Sequence, residues 1–294
     1  MSAPAKHMAY VACIVVAALA VAMAVFAGAG RPGAPLSAVG TGAPARPHSD
    51  MPTSPELAST VIGRSITMLD AAQAGRRDNV ALAARTIDGV IVGPGKGFSF
   101  NKVVGERTAQ AGYVEARVII DGRNEPGLAG GICQVSSTLY NAALLAGMKI
   151  TERHAHSRPV PYLTPGLDAT VAYGSLDLKW SNPWDFPVTV RAGLLGSGTE
   201  LEVVIEAMGV ADVRPPSIRL ISEIVEVVEP RPAGDPGPTG RPIEGAPMTK
   251  GTVVELGQPG YRVKVWAEWD DAAAARHREL VSYDFYEPVS AVAR

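Results

Sequence analysis

Apolar positions along this chain follow three patterns. The first is a continuous run: Met8 to Gly30, "MAYVACIVVAALAVAMAVFAGAG", carries no charged residue and is long enough to cross a bilayer as a helix. Lys6 before it and Ala27-Gly28-Ala29 at its end have the form of an export signal, but the run outlasts the roughly 7–15 apolar residues of a signal core. It therefore reads as an uncleaved anchor, with secretion following if it is cut. The second pattern is helical spacing. Leu57, Val61, Ile62 and Ile66 after Pro55 predict one helix, and Val80, Leu82, Ala83, Ile87 and Val90 predict a second over 79–92, ended by "GPGKG". Ile132, Val135, Leu139, Ala143 and Ala146 share a stripe and predict an amphipathic helix of about four turns, opened by Cys133. The third is alternation. It predicts short strands at 97–101 and 116–121, a hairpin from 188–192 and 200–205 joined through "GLLGSG", and a strand through Val263, Val265 and Ala267 after a "GQPG" turn.

Helices followed by hairpins predict an α+β fold rather than a wound parallel sheet. The chain divides into a membrane segment at 1–30 and a Pro/Gly/Ala-rich linker at 31–54 that holds the rest off the bilayer. A helical lead-in and a mixed helix and antiparallel-sheet domain follow at 55–209, with its core at 78–209. A valine-rich strand and proline-rich connector occupy 210–250, and a small β module occupies 251–294.

Composition narrows the partners. The net charge is −2 over 294 residues, and no Lys/Arg run exists to neutralise a phosphate backbone, so nucleic acid is not an expected partner. Of two cysteines, Cys13 lies inside the apolar run, which leaves Cys133 as the only thiol of the folded part and allows no intramolecular disulfide there. An unpaired thiol in an exported protein is a candidate reactive group, and a packed core residue is the plain alternative.

Cys133 follows Gly130 and Gly131, which permit backbone angles other residues resist and leave the approach to the thiol open. In the first helical turn it meets free N–H groups and the positive end of the helix dipole, both of which favour thiolate. Those N–H groups also suit an oxyanion, with the Gln134 amide as a further donor. Ser136, Ser137 and Thr138 sit where capping is the ordinary role. A thiolate in acyl transfer needs a proton carrier, and histidine titrates near neutrality. His7 and His48 lie in the anchor and linker and His277 in the terminal module, leaving His154 and His156 in "TERHAHSRP". His156 is preferred because "SRPVPY" reads as a rigid extended segment, with His154 as the other base or a substrate contact. Asp168 in "PGLDATVAYG" is the first choice to orient the imidazole, with Glu152, Asp177 and Asn182 behind it. After Pro-Gly, Asp168 also suits a turn or cap. Arg153 and Arg158 bracket the histidines and suit a substrate carboxylate. One thiol and a His-x-His lack the paired spacing of a structural zinc centre, so neither a metal nor another cofactor is expected.

"GPGKGFSFN", "VGERTAQAGY", "GGICQVSSTLYNAALLAG", "ERHAHSRPV", "GLDATVAYG" and "DLKWSN" together resemble the VanW family over residues 78–209. The resemblance implies a bacterial envelope protein held by one amino-terminal helix, with its main domain outside the cytoplasm and links to glycopeptide resistance. It further implies peptidoglycan stem peptides as partners and L,D-transpeptidation as the reaction. Cys133 matches the family's Gly-Gly-Ile-Cys nucleophile and His156 the histidine of its "ERxxHS" stretch. Gly131, Gln134, Arg153, His154 and Arg158 are the candidate substrate contacts. Ala129 departs from the pattern, which has a third glycine there. Residues 251–294 are similar in turn pattern to G-five β modules. Two other readings stay open: a non-catalytic peptidoglycan-binding protein, and a cysteine hydrolase or carboxypeptidase.

Overall fold

A computed structural model describes residues 59–70, 73–120, 123–197, 200–210, 216–230, 253–255, 257–271, 273–289 and 292–293. The apolar run 8–30 with Cys13, the linker 31–54 and the proline-rich stretch 231–250 lie outside the described residues. No helix among the described residues is long and apolar enough to cross a membrane.

The segment expected to form a helical lead-in is a strand. β1 (Ser59–Asp70) pairs antiparallel with β9 (Glu200–Val210), from Ser59 opposite Val210 to Asp70 opposite Glu200. Its burial has period two: Gly63, Thr67 and Leu69 are buried, while Arg64, Ile66 and Met68 are exposed. The β-branched run Thr60, Val61 and Ile62 favours this state. A bulge between Val61 and Gly63 inserts one residue into the alternation, which is why the apolar positions imitate helical spacing.

β1 and β9 continue through β8 (Val188–Leu195) to β2 (Ile91–Val92), giving an antiparallel sheet in the order β1-β9-β8-β2. The β8–β9 hairpin is the one alternation predicts. α1 (Ala74–Ile87) begins before the expected Asn79 and stops short of Val92. Asp88 ends it by accepting hydrogen bonds from the Ala192 N–H at 2.9 Å and from Arg191, and Gly89, at φ +78°, turns the chain into β2.

α3 (Ile132–Leu145) lies on this sheet, after a short helix α2 (Phe100–Val104) and the hairpin of β4 (Glu115–Ile120) with β5 (Arg123–Leu128). The sequence suggests an amphipathic helix, but every residue from Gln134 to Ala143 is buried. Its polar side chains face other protein groups, which meet the cost of taking them out of water. Approach to the sheet is close: a Cβ on Gly63 would fall 2.4 Å from the Ala142 carbonyl oxygen. The expected strand at 97–101 is cut to β3 (Gly97–Ser99), because Ser99 Oγ accepts from Lys102 N–H at 3.1 Å and starts α2. β3, β7 (Lys179–Ser181) and β6 (Lys149–Glu152) form a second sheet in the order β3-β7-β6, with Phe98 stacked on Trp180 at 5.0 Å.

The carboxy-terminal sheet takes in more chain than expected. β10 (Arg219–Val228), the valine-rich strand expected ahead of the terminal module, joins that module as an outer strand of the sheet β10-β12-β13, with β12 at Gly260–Asp270 and β13 at Arg276–Tyr286. β11 (Val253–Glu255) pairs with β14 (Val292–Ala293). Val263, Val265 and Tyr286 are buried and pack against Ala155 and Leu167. Gly166, at φ +92°, is needed there, since a Cβ would lie 2.4 Å from Val265 Cγ2.

Candidate active site

The turn before α3 sets the position of Cys133. Ala129 sits at φ +62° and Gly131 at φ +108°, so two residues of the approach occupy left-handed backbone. For Ala129 this costs about 1–2 kcal/mol, which gives a physical meaning to the glycine it replaces in the family pattern. Gly130 packs against the backbone of β4, where a Cβ would lie 2.5 Å from the Arg117 carbonyl oxygen, and its own carbonyl accepts from Asn79 Nδ2 at 3.1 Å. The Ile132 and Gln134 N–H groups bond back to Ala129 and Gly131 at 3.3 and 2.9 Å. Cys133 N–H has no acceptor among the described residues and is free to meet an oxyanion.

Cys133 is half-buried, and its thiol reaches Thr170 Oγ1 at 3.6 Å and the Val171 carbonyl oxygen at 3.7 Å. The His156 imidazole stands close enough to the same sulfur for each group to shift the other's titration. His156 Nδ1 donates to Asp168 Oδ2 at 2.5 Å, and His156 backbone N–H donates to that oxygen at 2.7 Å. That bond leaves Nε2 for the thiol, the tautomer in which imidazole can take its proton. Asp168 is fully buried, and Tyr286 donates to its Oδ1. The structure thus brings together the three residues that the sequence nominates for acyl transfer.

Electrostatics follow from this chain of contacts. Burial pushes the Cys133 thiol up, but the proximity and positive charge of His156 outweigh it and bring the thiol down to about 7. Burial pushes His156 down, and its bond to Asp168, with the charges of Cys133 and Asp168, raises it to about 9. Asp168 is pushed up by burial yet held below the usual carboxylate range by His156 and Arg153. Thiolate and imidazolium are therefore the paired state above neutrality.

α3 also fixes the strand of chain that carries the acid. Ser136 Oγ donates to the Ala169 carbonyl at 2.6 Å, Ala169 N–H donates to Ser137 Oγ at 2.9 Å, and Asn141 Nδ2 donates to the Leu167 carbonyl at 2.6 Å. These hydroxyls tie two segments together rather than cap the helix. Glu152, Asp177 and Asn182 have other work. Glu152 pairs with His154 and Lys179, Asp177 accepts from Ser99 and Asn101 N–H, and Asn182 bonds Val92 and Phe186 carbonyls.

Two expected substrate contacts need correction. The Gln134 amide is buried and taken by Thr67, Met68 and Arg76, so it cannot serve the oxyanion. Arg153 is buried too. Its guanidinium bonds Asp284, Asp168 and the Gly166 carbonyl and lies 5.3 Å from the Tyr140 ring centre, which makes it a brace for the acid. Arg158 is half-buried and already engaged. His154 is partly exposed and bonds Glu152 at 3.0 Å, while Gly131 remains at the mouth of the helix without a side chain.

Residues absent from the sequence expectation also belong here. Tyr286 and Asp284 come from β13 and carry no local signal of a site. Two arginines lie close enough to Cys133 to feel its charge: Arg76, 5.8 Å from the Tyr162 ring centre, and Arg107, 5.9 Å from that of Tyr173. Arg107 was legible in principle, since it stands inside the family motif "VGERTAQAGY". Among the described residues no cluster of three or more His, Cys, Asp and Glu side chains is placed to hold a metal ion.

Residues 75–205 match the family model described as VanW like protein. The Bacillus subtilis "Uncharacterized protein YoaR" is 41% identical over 150 residues, covering 51% of this chain and 50% of its own. The vancomycin B-type resistance protein VanW of Enterococcus faecalis is 31% identical over 112 residues, covering 36% of this chain and 41% of its own. The chain thus spans half or less of the length of these curated relatives. No solved structure matches the chain. Residues 75–205, which hold Cys133, His156 and Asp168, are thus a VanW-like stretch of the chain, similar over that region to both relatives.

Proposed function

We propose that the protein is a cell-envelope cysteine acyl-transferase of the L,D-transpeptidase type, acting on peptidoglycan stem peptides outside the cytoplasm and held to the membrane by residues 8–30. The relay from Asp168 through His156 to the Cys133 thiol is the observation that carries this reading. A buried thiol packed only for volume has no use for an oriented imidazole backed by a buried carboxylate. The relative named for vancomycin resistance supports an envelope setting.

Cys133 Sγ attacks the carbonyl carbon of the third residue of a donor stem. Its N–H, at the positive end of α3, faces the oxyanion. Collapse of the tetrahedral intermediate breaks the C–N bond, and the proton held on His156 passes to the departing amine of the terminal D-alanine. A thioester remains. The side-chain amine of a second stem then attacks that thioester, gives its proton to His156 and releases the thiolate, leaving an amide cross-link.

Intact-mass measurement of the full-length protein with a tetrapeptide stem tests this. An acyl adduct is expected on the wild type and none on Cys133→Ala. A folded wild type that stays unmodified across a range of stems would sink the acyl-transfer reading in favour of wall binding without chemistry. When an acceptor stem is added, cross-linked dimers support transfer, whereas trimmed monomers alone would make the enzyme a hydrolase.

A further inference from the structure

Arg153 braces Asp168 and Arg76 holds Gln134, which leaves Arg107 as the arginine near the thiol for an anionic peptide end. Its guanidinium lies 5.4 Å from the Phe100 ring centre and 5.9 Å from that of Tyr173. Both terminal nitrogens, Nη1 and Nη2, are buried, and neither has a hydrogen-bond partner among the described residues. Buried polar groups are ordinarily paired, and a guanidinium without an acceptor is a costly exception that asks for a ligand. Asp177, whose charge also reaches Arg107, has its oxygens occupied by Ser99, Asn101 N–H and Leu178 N–H.

Placement relative to the thiol narrows the ligand. The Val171 carbonyl touches Cys133 Sγ at 3.7 Å, and Tyr173, which Arg107 faces, stands two residues further along the same segment. Two residues span about 7 Å at most. In a peptide cleaved one residue from its end, the carboxylate lies about one Cα spacing, 3.8 Å, beyond the attacked carbonyl. A planar fork of two free nitrogens fits such a carboxylate bidentately. Tyr173 is 55% exposed and its ring lies 5.9 Å from the guanidinium, so a shift of that ring would open the fork to a ligand.

We propose that Arg107 is the anion subsite of the Cys133 centre, taking the free α-carboxylate of a peptide whose last peptide bond is presented to the thiol. This rests on the acyl-transfer reading above and adds to it the residue that would recognise the donor's free end.

Alkylation tests it without any stem peptide. Iodoacetate and iodoacetamide form the same S–C bond and expel iodide, but only the first carries a carboxylate. Their rates at Cys133 are followed in the full-length protein by peptide mass mapping, for wild type, Arg107→Gln and Arg107→Lys, with free cysteine as reference. The wild type should favour iodoacetate over iodoacetamide relative to free cysteine, and Arg107→Gln should lower that ratio roughly tenfold, the usual weight of a charge-assisted bond. Arg107→Lys, keeping the charge without the fork, should fall between. Equal ratios in wild type and Arg107→Gln would overturn the proposal. If Arg107→Gln slows both reagents through misfolding, Arg107→Lys decides, and a ratio no higher than that of free cysteine overturns it. A high wild-type ratio without any acyl adduct from stems would remove the transpeptidase reading and spare the anion subsite. An adduct with no carboxylate preference would do the reverse.

Discussion

Tyr286 donates its hydroxyl hydrogen to Asp168 Oδ1 across 118 residues of sequence. The same hydroxyl accepts from Gly166 N–H at 2.5 Å, and Asp284, on the same strand, accepts from Arg153 at 2.5 Å. Burial and the charge of Asp168 push the phenol well up, so it stays a donor. The carboxy-terminal sheet therefore completes the acid end of the relay, and its contacts with Ala155 and Leu167 grip the two segments that bear His156 and Asp168.

Removing that hydroxyl should be felt through Asp168. Tyr286→Phe is expected to lower stability by about 1–3 kcal/mol, the range for a hydrogen bond to a charged group. In a double-mutant cycle with Asp168→Asn, read by urea unfolding, most of that loss should disappear. Additive losses would mean that Tyr286 acts through packing alone.

The thiol should titrate early. Alkylation of Cys133 by a neutral reagent is expected to rise through a midpoint near pH 7, below the usual thiol range. The thiol's folded value is depressed, so its contribution to stability is present above the ordinary thiol range and lost as pH falls through about 7. For His156 the folded value is raised, so its contribution is present below the ordinary imidazole range and lost as pH rises through about 9. The ion pair thus persists between about 7 and 9. Asp168→Asn removes what holds the imidazolium and should move the alkylation midpoint upward. A midpoint unmoved by that change would separate Asp168 from the relay.

Close packing of α3 on β1 should tolerate no side chain at Gly63. A Cβ there would lie 2.4 Å from Ala142 O, 2.5 Å from Ala146 N and 2.7 Å from Ala146 Cβ. Gly63→Val should cost about 2–3 kcal/mol or more by forcing the helix off the sheet. The loss is measurable as a shift in the urea midpoint, with slower Cys133 alkylation alongside it. A loss under about 1 kcal/mol would show that α3 can shift to make room.

By itself the sequence determined the parts whose physics is local. The hairpin at 188–210 shows in its alternation, the helix behind Cys133 in its stripe and its glycines, and the imidazole in a short choice between His154 and His156. What it left open depended on partners far along the chain. β1 imitates a helix because one bulge disturbs its alternation, and only β9, more than a hundred residues on, shows the pairing. Asp168 stood first ahead of Glu152, Asp177 and Asn182, but spacing could not rank them, and tertiary contacts separated them by giving only Asp168 to His156. Arg153 looked like a substrate contact until Asp284 and Asp168 closed on it, and Arg107 looked ordinary until burial stripped it of partners. Periodicity and glycine placement are fixed by a residue's near neighbours, whereas the role of a charge is fixed by whatever the fold brings within hydrogen-bonding distance.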